Sequence, residues 1–255
     1  VSLNFRLLYP SYIHFEVVSY VICLLLCDFN RGQIYRAING LDKSPFILPN
    51  KPYVKEHSMD ESGMPDDIKK LIMDVKHKVQ GKKVILYQGF FASVERRLEE
   101  FCQAINQMPS DYVMIAMGKG PNNYYDVLKK KYQSDKILFI PFIIPPFHLY
   151  VTEMASIGVM SYSPHQKTHA GVVPALYCAP NKNFEYGKYG KPMIANDVPA
   201  LKYIFKEYHC GEVVDYPITP NAISTILEKL FSNYDMYSKG ALEFASIKFY
   251  RVMMP

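Results

Sequence analysis

A chain of 255 residues, 49% apolar and 21% charged, can bury a sizeable core, and its formal net charge of +5 is too weak and too scattered for a nucleic-acid partner. The mild positive balance suits an anionic small ligand or an anionic membrane surface, so peripheral association with a membrane is an expectation. The five cysteines, Cys23, Cys27, Cys102, Cys178 and Cys210, are odd in number and lack metal-ligand spacing, which points to buried thiols in a reducing cytoplasm.

The first apolar run, VVSYVICLLLC at 17–27, is too short to cross a bilayer as a helix, which takes about 20 residues. No charged leader precedes it and no small-residue cleavage site follows, so it reads as a buried strand and not as a signal peptide. The chain begins at Val1 without a methionine and stops at FYRVMMP without a clear terminating element, so it is expected to be part of a longer protein. In DFNRGQIYRAING, Ile34, Ile38 and Leu41 follow helical spacing and Gly40 stands at the stop. A short strand at 46–48 is closed by Pro49 and Asn50, and the polar stretch VKEHSMDESGMPDD reads as a linker.

An amphipathic helix then starts at Pro65 and Asp66, carries Ile68, Leu71, Ile72, Val75 and Val79 on one stripe, and ends at Gly81. From residue 82 strands and helices alternate. KKVILYQG is a strand and VERRLEEFCQAINQM a helix. DYVMIAMGKG is a strand ending in a glycine loop. NNYYDVLKKKYQ is a helix with a solvated lysine face, KILFIP a strand and FHLYVTEMASIG a helix. VMSYS, at 159–163, is a strand, and a loop runs on to Ala179. Helix 181–189, strand 192–196, helix 198–207, strand 212–215 and helix 220–232 complete the series. This alternation predicts an α/β protein with a doubly wound parallel sheet. One Rossmann-like domain occupies 82–235 and a tail 236–255. Residues 51–81 form a linker and helix, and 1–50 look like the last strand and helix of another such domain.

In an open α/β sheet ligands sit beyond the carboxyl ends of the strands. Gly89 follows the first strand of the large domain, where a glycine lets backbone approach a phosphate, and Arg96 can reach back from the next helix. Gly118, in GKG, is a second candidate phosphate loop, but the G-x-G-x-x-G fingerprint is missing and a nicotinamide cofactor is disfavoured. PFIIPPF could pack a flat base against Phe142 or Ile143. In CAPNKNFEYGKYGKPMIAND, Pro180 and Asn181 open a helix whose free N–H groups favour an anion, and Lys182 adds a full positive charge. Glu185, three residues on and on the same face, can accept two hydrogen bonds from a vicinal diol. Singly, each has an ordinary counterpart: a turn glycine, a solvated arginine, a surface ion pair. Gathered at strand ends, phosphate contacts and a diol contact describe a nucleoside diphosphate. His165 and His169 are four apart in SPHQKTHAG but have no third ligand, so no metal is expected. His14 has no assigned role.

These segments resemble a known family. APNKNFEYGKYGKPMIAND is similar to the PNK…F-EY…G-P segment of GT-B glycosyltransferases of the retaining, family-four, bacterial polysaccharide type. VILYQGFFASVERRLEEFCQAI looks like their first C-domain strand, glycine turn and arginine-bearing helix. NRGQIYRAINGLDKSPFILPNKPY is similar to the end of their N-terminal, acceptor-binding domain, so the resemblance spans most of 16–232. It implies that Glu185 binds the donor's ribose, that Lys182 and Arg96 face the diphosphate and carry the catalytic charge, and that Gly89 allows the phosphate approach. The LYCAPN backbone would lie near the transferred sugar. It implies no metal or other cofactor. The donor would be a nucleotide-diphosphate sugar and the acceptor a saccharide or a lipid-linked molecule. The setting would be cell-surface polysaccharide synthesis at the inner face of the membrane. Two positions depart from the family pattern: Tyr177 stands where a second glutamate is common, eight before Glu185, and Phe90 where an arginine follows the glycine. A non-catalytic nucleotide-sugar-binding fragment and a nucleotide-sugar epimerase are the alternatives. The epimerase requires acid/base groups near the sugar, and no carboxylate cluster is visible between the strands.

Overall fold

The computed structural model describes residues 24–52, 61–92, 96–120, 123–164 and 169–247. His14, His165 and most of the strand expected at 17–27 lie outside the described residues. A small unit comes first. Strands β1 (Leu25–Leu26) and β2 (Phe46–Ile47) pair in parallel, and helix α1 (Phe29–Ile38) joins them. Asp28 starts α1 by accepting a hydrogen bond from the Arg31 amide at 2.9 Å.

The large sheet has six parallel strands: β3 (Lys83–Phe90), β4 (Tyr112–Lys119), β5 (Ile137–Pro141), β6 (Ile157–Met160), β7 (Met193–Asn196) and β8 (Gly211–Val214). Their spatial order is β5-β4-β3-β6-β7-β8. Counted from β3 this is 3-2-1-4-5-6, so the winding reverses between β3 and β6 and opens a crevice at their carboxyl ends.

Ten helices are described. After α1 come α2 (Asp66–Val79), α3 (Leu98–Gln107), α4 (Tyr124–Tyr132) and α5 (Leu149–Met154). They are followed by α6 (His169–Leu176), α7 (Lys182–Lys188), α8 (Pro199–Tyr208), α9 (Pro220–Ser232) and α10 (Tyr234–Ser246). Side chains alternate between the two faces of the sheet, and both faces are covered, as a parallel sheet requires. Val84, Leu86, Val113 and Ile115 face α2, α5, α7, α8 and α10. Ile85, Tyr87, Met114 and Ala116 face α3, α4 and α9. None of the described helices is long and apolar enough to cross a membrane.

Four local expectations are corrected. The helix expected at 94–108 is interrupted: Arg96 is helical, Arg97 adopts a left-handed backbone (φ 47°), and the regular helix α3 runs only from Leu98. The strand expected at 159–163 is Ile157–Met160. Beyond it, the Asn196 side chain takes over the pairing: its Oδ1 accepts from the Tyr162 amide at 2.6 Å and its Nδ2 donates to the Tyr162 carbonyl. The stretch expected as a loop to Ala179 contains α6, which tolerates Pro174. The series expected to end at 232 continues into α10, which buries Tyr237, Gly240, Ala241 and Phe244; Phe244 stacks on Phe184 of α7 at 5.0 Å.

Candidate functional site

A cavity of about 350 Å³ opens at the carboxyl ends of β3 and β4 and is closed on its other side by α5 and α7. Gly89, Arg96, Gly118, Phe142, Asn181, Lys182 and Glu185 all line it, so the structure brings together every site residue singled out from the sequence.

Two of them form the floor. Gly89 and Gly118 are register partners at the ends of β3 and β4, with φ of 143° and 151°. A Cβ on Gly118 would overlap the Gly89 carbonyl oxygen and lie 2.9 Å from its carbonyl carbon. Gly118 is therefore glycine because two strand ends touch there. Gly89 is different: its nearest neighbours would be the Tyr87 hydroxyl at 3.7 Å and Lys182 Nζ at 4.0 Å. A side chain would fill the open space above the lysine.

Two cations sit at the wall. Lys182 is 7% exposed, and its Nζ lies 4.5 Å from the centroid of the Tyr87 ring and 5.0 Å from that of Tyr162. The Arg96 guanidinium lies 4.3 Å from the same Tyr162 ring and donates to the Ser161 carbonyl at 3.2 Å. Ring faces attract cations but do not neutralise them. Among the described residues no carboxylate lies within ion-pair distance of either one. Burial, and secondly the nearby Arg96 charge, hold the Lys182 pKa down at about 7. An anion entering the cavity would relieve both effects.

Glu185 stands on α7 one turn from Lys182. Its Oε2 accepts from Gln88 Nε2 at 2.6 Å and its Oε1 from His148 Nε2 at 3.2 Å. The helix is anchored from below by the Tyr186 hydroxyl, which donates to the Leu86 carbonyl at 3.0 Å. Asn181 precedes α7 and is exposed at the rim, with no side-chain capping bond. Of the two residues expected to pack a base, Ile143 is buried and Phe142 is 46% exposed, with Lys119 Nζ 4.6 Å from its ring centroid. The second glycine of GKG also has a packing cause: a Cβ on Gly120 would overlap the Phe91 carbonyl oxygen.

The small β1–α1–β2 unit touches the approach to the site. Arg31 donates to the carbonyls of Tyr177 (2.6 Å) and Pro174 (3.0 Å), and Asn50 to that of Ala179 (2.9 Å). Sequence reasoning missed Tyr87, Gln88, His148 and Tyr162. Gln88 carried one signal, since it directly precedes Gly89 at a strand's carboxyl end; the others come from separate elements and carried none. Among the described residues no group of three or more His, Cys, Asp or Glu side chains converges as a metal site would.

No protein-family model and no curated protein matches the chain. Solved structures do resemble it. WaaG, a glycosyltransferase involved in lipopolysaccharide biosynthesis, is 13% identical with a TM-score of 0.59, covering 90% of this chain and 60% of its own. Anabaena HepE in complex with UDP-glucose is 13% identical with a TM-score of 0.67, covering 93% of this chain and 62% of its own. The pneumococcal O-GlcNAc transferase GtfA in complex with UDP and GlcNAc is 13% identical with a TM-score of 0.61, covering 91% and 43%. The chain thus spans 60% or 62% of the first two proteins' length and less of the third's. What is shared at this identity is the fold: an α/β, GT-B-like arrangement with one Rossmann-like parallel sheet of six strands, beside a small two-strand unit.

Proposed function

We propose that this chain carries the donor-binding half of a glycosyltransferase, which transfers a sugar from a nucleotide-diphosphate sugar to a saccharide or lipid-linked acceptor. The observation that carries this reading is the pairing of two cations without counter-ions among the described residues, Arg96 and Lys182, with the Glu185 carboxylate in one cavity at the strand crossover. The cations suit a diphosphate, and the carboxylate suits the ribose hydroxyls beside it. As the sugar bond breaks, negative charge grows on the departing diphosphate, and fixed cations in a site shielded from water stabilise that charge most. No metal or cofactor enters this scheme. The resemblance of PNKNFEY to the retaining family-four enzymes supports retention at the anomeric carbon and a role in cell-surface polysaccharide synthesis, beside the cytoplasmic face of a membrane. The complexes of HepE with UDP-glucose and of GtfA with UDP and GlcNAc support the donor class.

A second reading has a specific observation behind it. The chain spans 60% or 62% of WaaG and HepE, so it fits a unit that binds the donor without transferring sugar alone. Turnover of a labelled donor, with and without an added N-terminal half, separates the two. An epimerase fits less well, because Glu185 is the one carboxylate among the described residues lining the cavity.

Calorimetry with UDP, GDP and the parent nucleosides tests the donor-site reading. Arg96→Met should weaken diphosphate binding by about 10–100-fold and leave nucleoside binding within about twofold. Glu185→Ala should weaken diphosphate and nucleoside binding alike, by about 10-fold or more, with the fold intact by circular dichroism. Equal losses for both ligands in Arg96→Met would remove the diphosphate assignment.

A further inference from the structure

We infer that Gln88 and His148 are positioning residues that hold the Glu185 carboxylate in one orientation, and that this makes the site select a ribonucleotide over its 2′-deoxy counterpart. The inference rests on the donor-site reading above and goes one step further, to a pair of residues and a specificity.

The clamp is built from three elements far apart in sequence. Gln88 is at the end of β3, His148 directly precedes α5 and Glu185 is on α7. Among the described residues each carboxylate oxygen has one protein donor: Gln88 Nε2 at 2.6 Å on Oε2 and His148 Nε2 at 3.2 Å on Oε1. The Gln88 donor is not free to turn away. Gln88 is 5% exposed, and its side-chain oxygen accepts from the Thr152 hydroxyl at 2.7 Å, which fixes its nitrogen on the carboxylate side. Thr152 is itself fully buried. On His148, Nδ1 is buried without a hydrogen-bond partner among the described residues, so the Glu185 bond is the ring's one polar contact, and it requires the proton on Nε2.

Counting acceptors turns this geometry into a specificity. A carboxylate offers about four lone-pair sites, two on each oxygen. The clamp uses one on each oxygen and leaves one on each at the cavity wall. That remainder matches the two hydroxyls of one vicinal diol. A carboxylate free to rotate could meet a single hydroxyl by reorienting; a clamped one cannot. A ligand lacking the 2′-hydroxyl would then displace water and leave one acceptor on a charged group without a partner, a penalty that discriminates far better than lost packing.

The experiment is calorimetry on the whole chain with UDP and 2′-deoxy-UDP, with the two guanine analogues, and with inorganic pyrophosphate. Wild type should prefer the ribonucleotide by roughly tenfold or more. Gln88→Leu should bring that ratio to within about twofold of one while pyrophosphate binding stays as in wild type. His148→Phe should do the same, whereas His148→Gln, which can still donate, should restore most of the preference. A purely structural role would shift both nucleotides together and leave the ratio unmoved. Should Gln88→Leu fail to fold, the two His148 variants decide by themselves. A wild-type ratio near one, or a wild-type ratio kept in Gln88→Leu and His148→Phe, overturns this inference alone. No binding of either ribonucleoside diphosphate overturns the donor-site reading and this inference with it.

Discussion

Lys182→Met is expected to abolish tight nucleoside diphosphate binding while making the unliganded chain more stable. Lys182 is buried between two tyrosine rings, and burial first, then the Arg96 charge, lowers its pKa from 10.5 to about 7. The folded chain therefore binds fewer protons here than the unfolded chain between about pH 7 and 10.5. Stability should rise with pH across that window, and the cost of the buried charge is fully present below it. Methionine keeps the stem and discards the charge. At neutral pH the gain should be about 2 kcal/mol, or roughly 4–8 °C in Tm, and it should vanish toward pH 10. Affinity should move the other way. A diphosphate beside the ammonium favours its charged form, so above pH 7 wild-type binding should take up a proton and weaken as pH rises. Removing the charge should cost about 100-fold or more in affinity. Melting curves with and without UDP from about pH 6 to 10, and calorimetry in two buffers of different ionisation heat, read both effects. A variant that binds UDP as wild type does, or that melts lower in the absence of ligand, would contradict the site.

Gly118→Ala should cause the largest loss of stability of any single methyl added at the site. The new Cβ would overlap the Gly89 carbonyl oxygen and press on the Phe91 ring at 3.1 Å, at a φ of 151° that side chains rarely adopt. Overpacking and backbone strain together should cost about 3–5 kcal/mol, and Tm should fall by roughly 10 °C or more. Gly89→Ala is the informative partner. Its Cβ meets nothing closer than 3.7 Å, so only the strained backbone, about 1–3 kcal/mol, opposes folding. Its methyl would stand in the cavity, 4.0 Å from Lys182 Nζ, and should weaken diphosphate binding in the chain that still folds. Urea unfolding of the two variants checks the contrast. A Gly118→Ala chain within about 1 kcal/mol of wild type would mean that the strand ends can separate.

Much of this was legible in the chain itself. Apolar runs alternating with amphipathic stripes from residue 82 mark a parallel α/β sheet, because strand and helix periods are local properties of the sequence. Gly89, Arg96, Gly118, Phe142, Asn181, Lys182 and Glu185 could be singled out because each follows a strand or opens a helix, and strand ends are where this class of sheet binds ligands. Boundaries that depend on distant partners were not legible. Nothing in VERRLEE announces that Arg97 turns left-handed, and nothing in VMSYS announces that Asn196 captures the Tyr162 backbone.

The electrical character of the site was decided only by the tertiary structure. Read along the chain, Lys182 and Glu185 form an ordinary pair on one turn of helix. Folded, Lys182 loses its water and shares Tyr162 with Arg96, while Glu185 is held by Gln88, 97 residues away, and by His148, 37 away. A residue's type and its neighbours in sequence determine which element it joins. Its charge state and its hydrogen-bond partners depend on desolvation and on groups brought near by packing, and no local pattern encodes either.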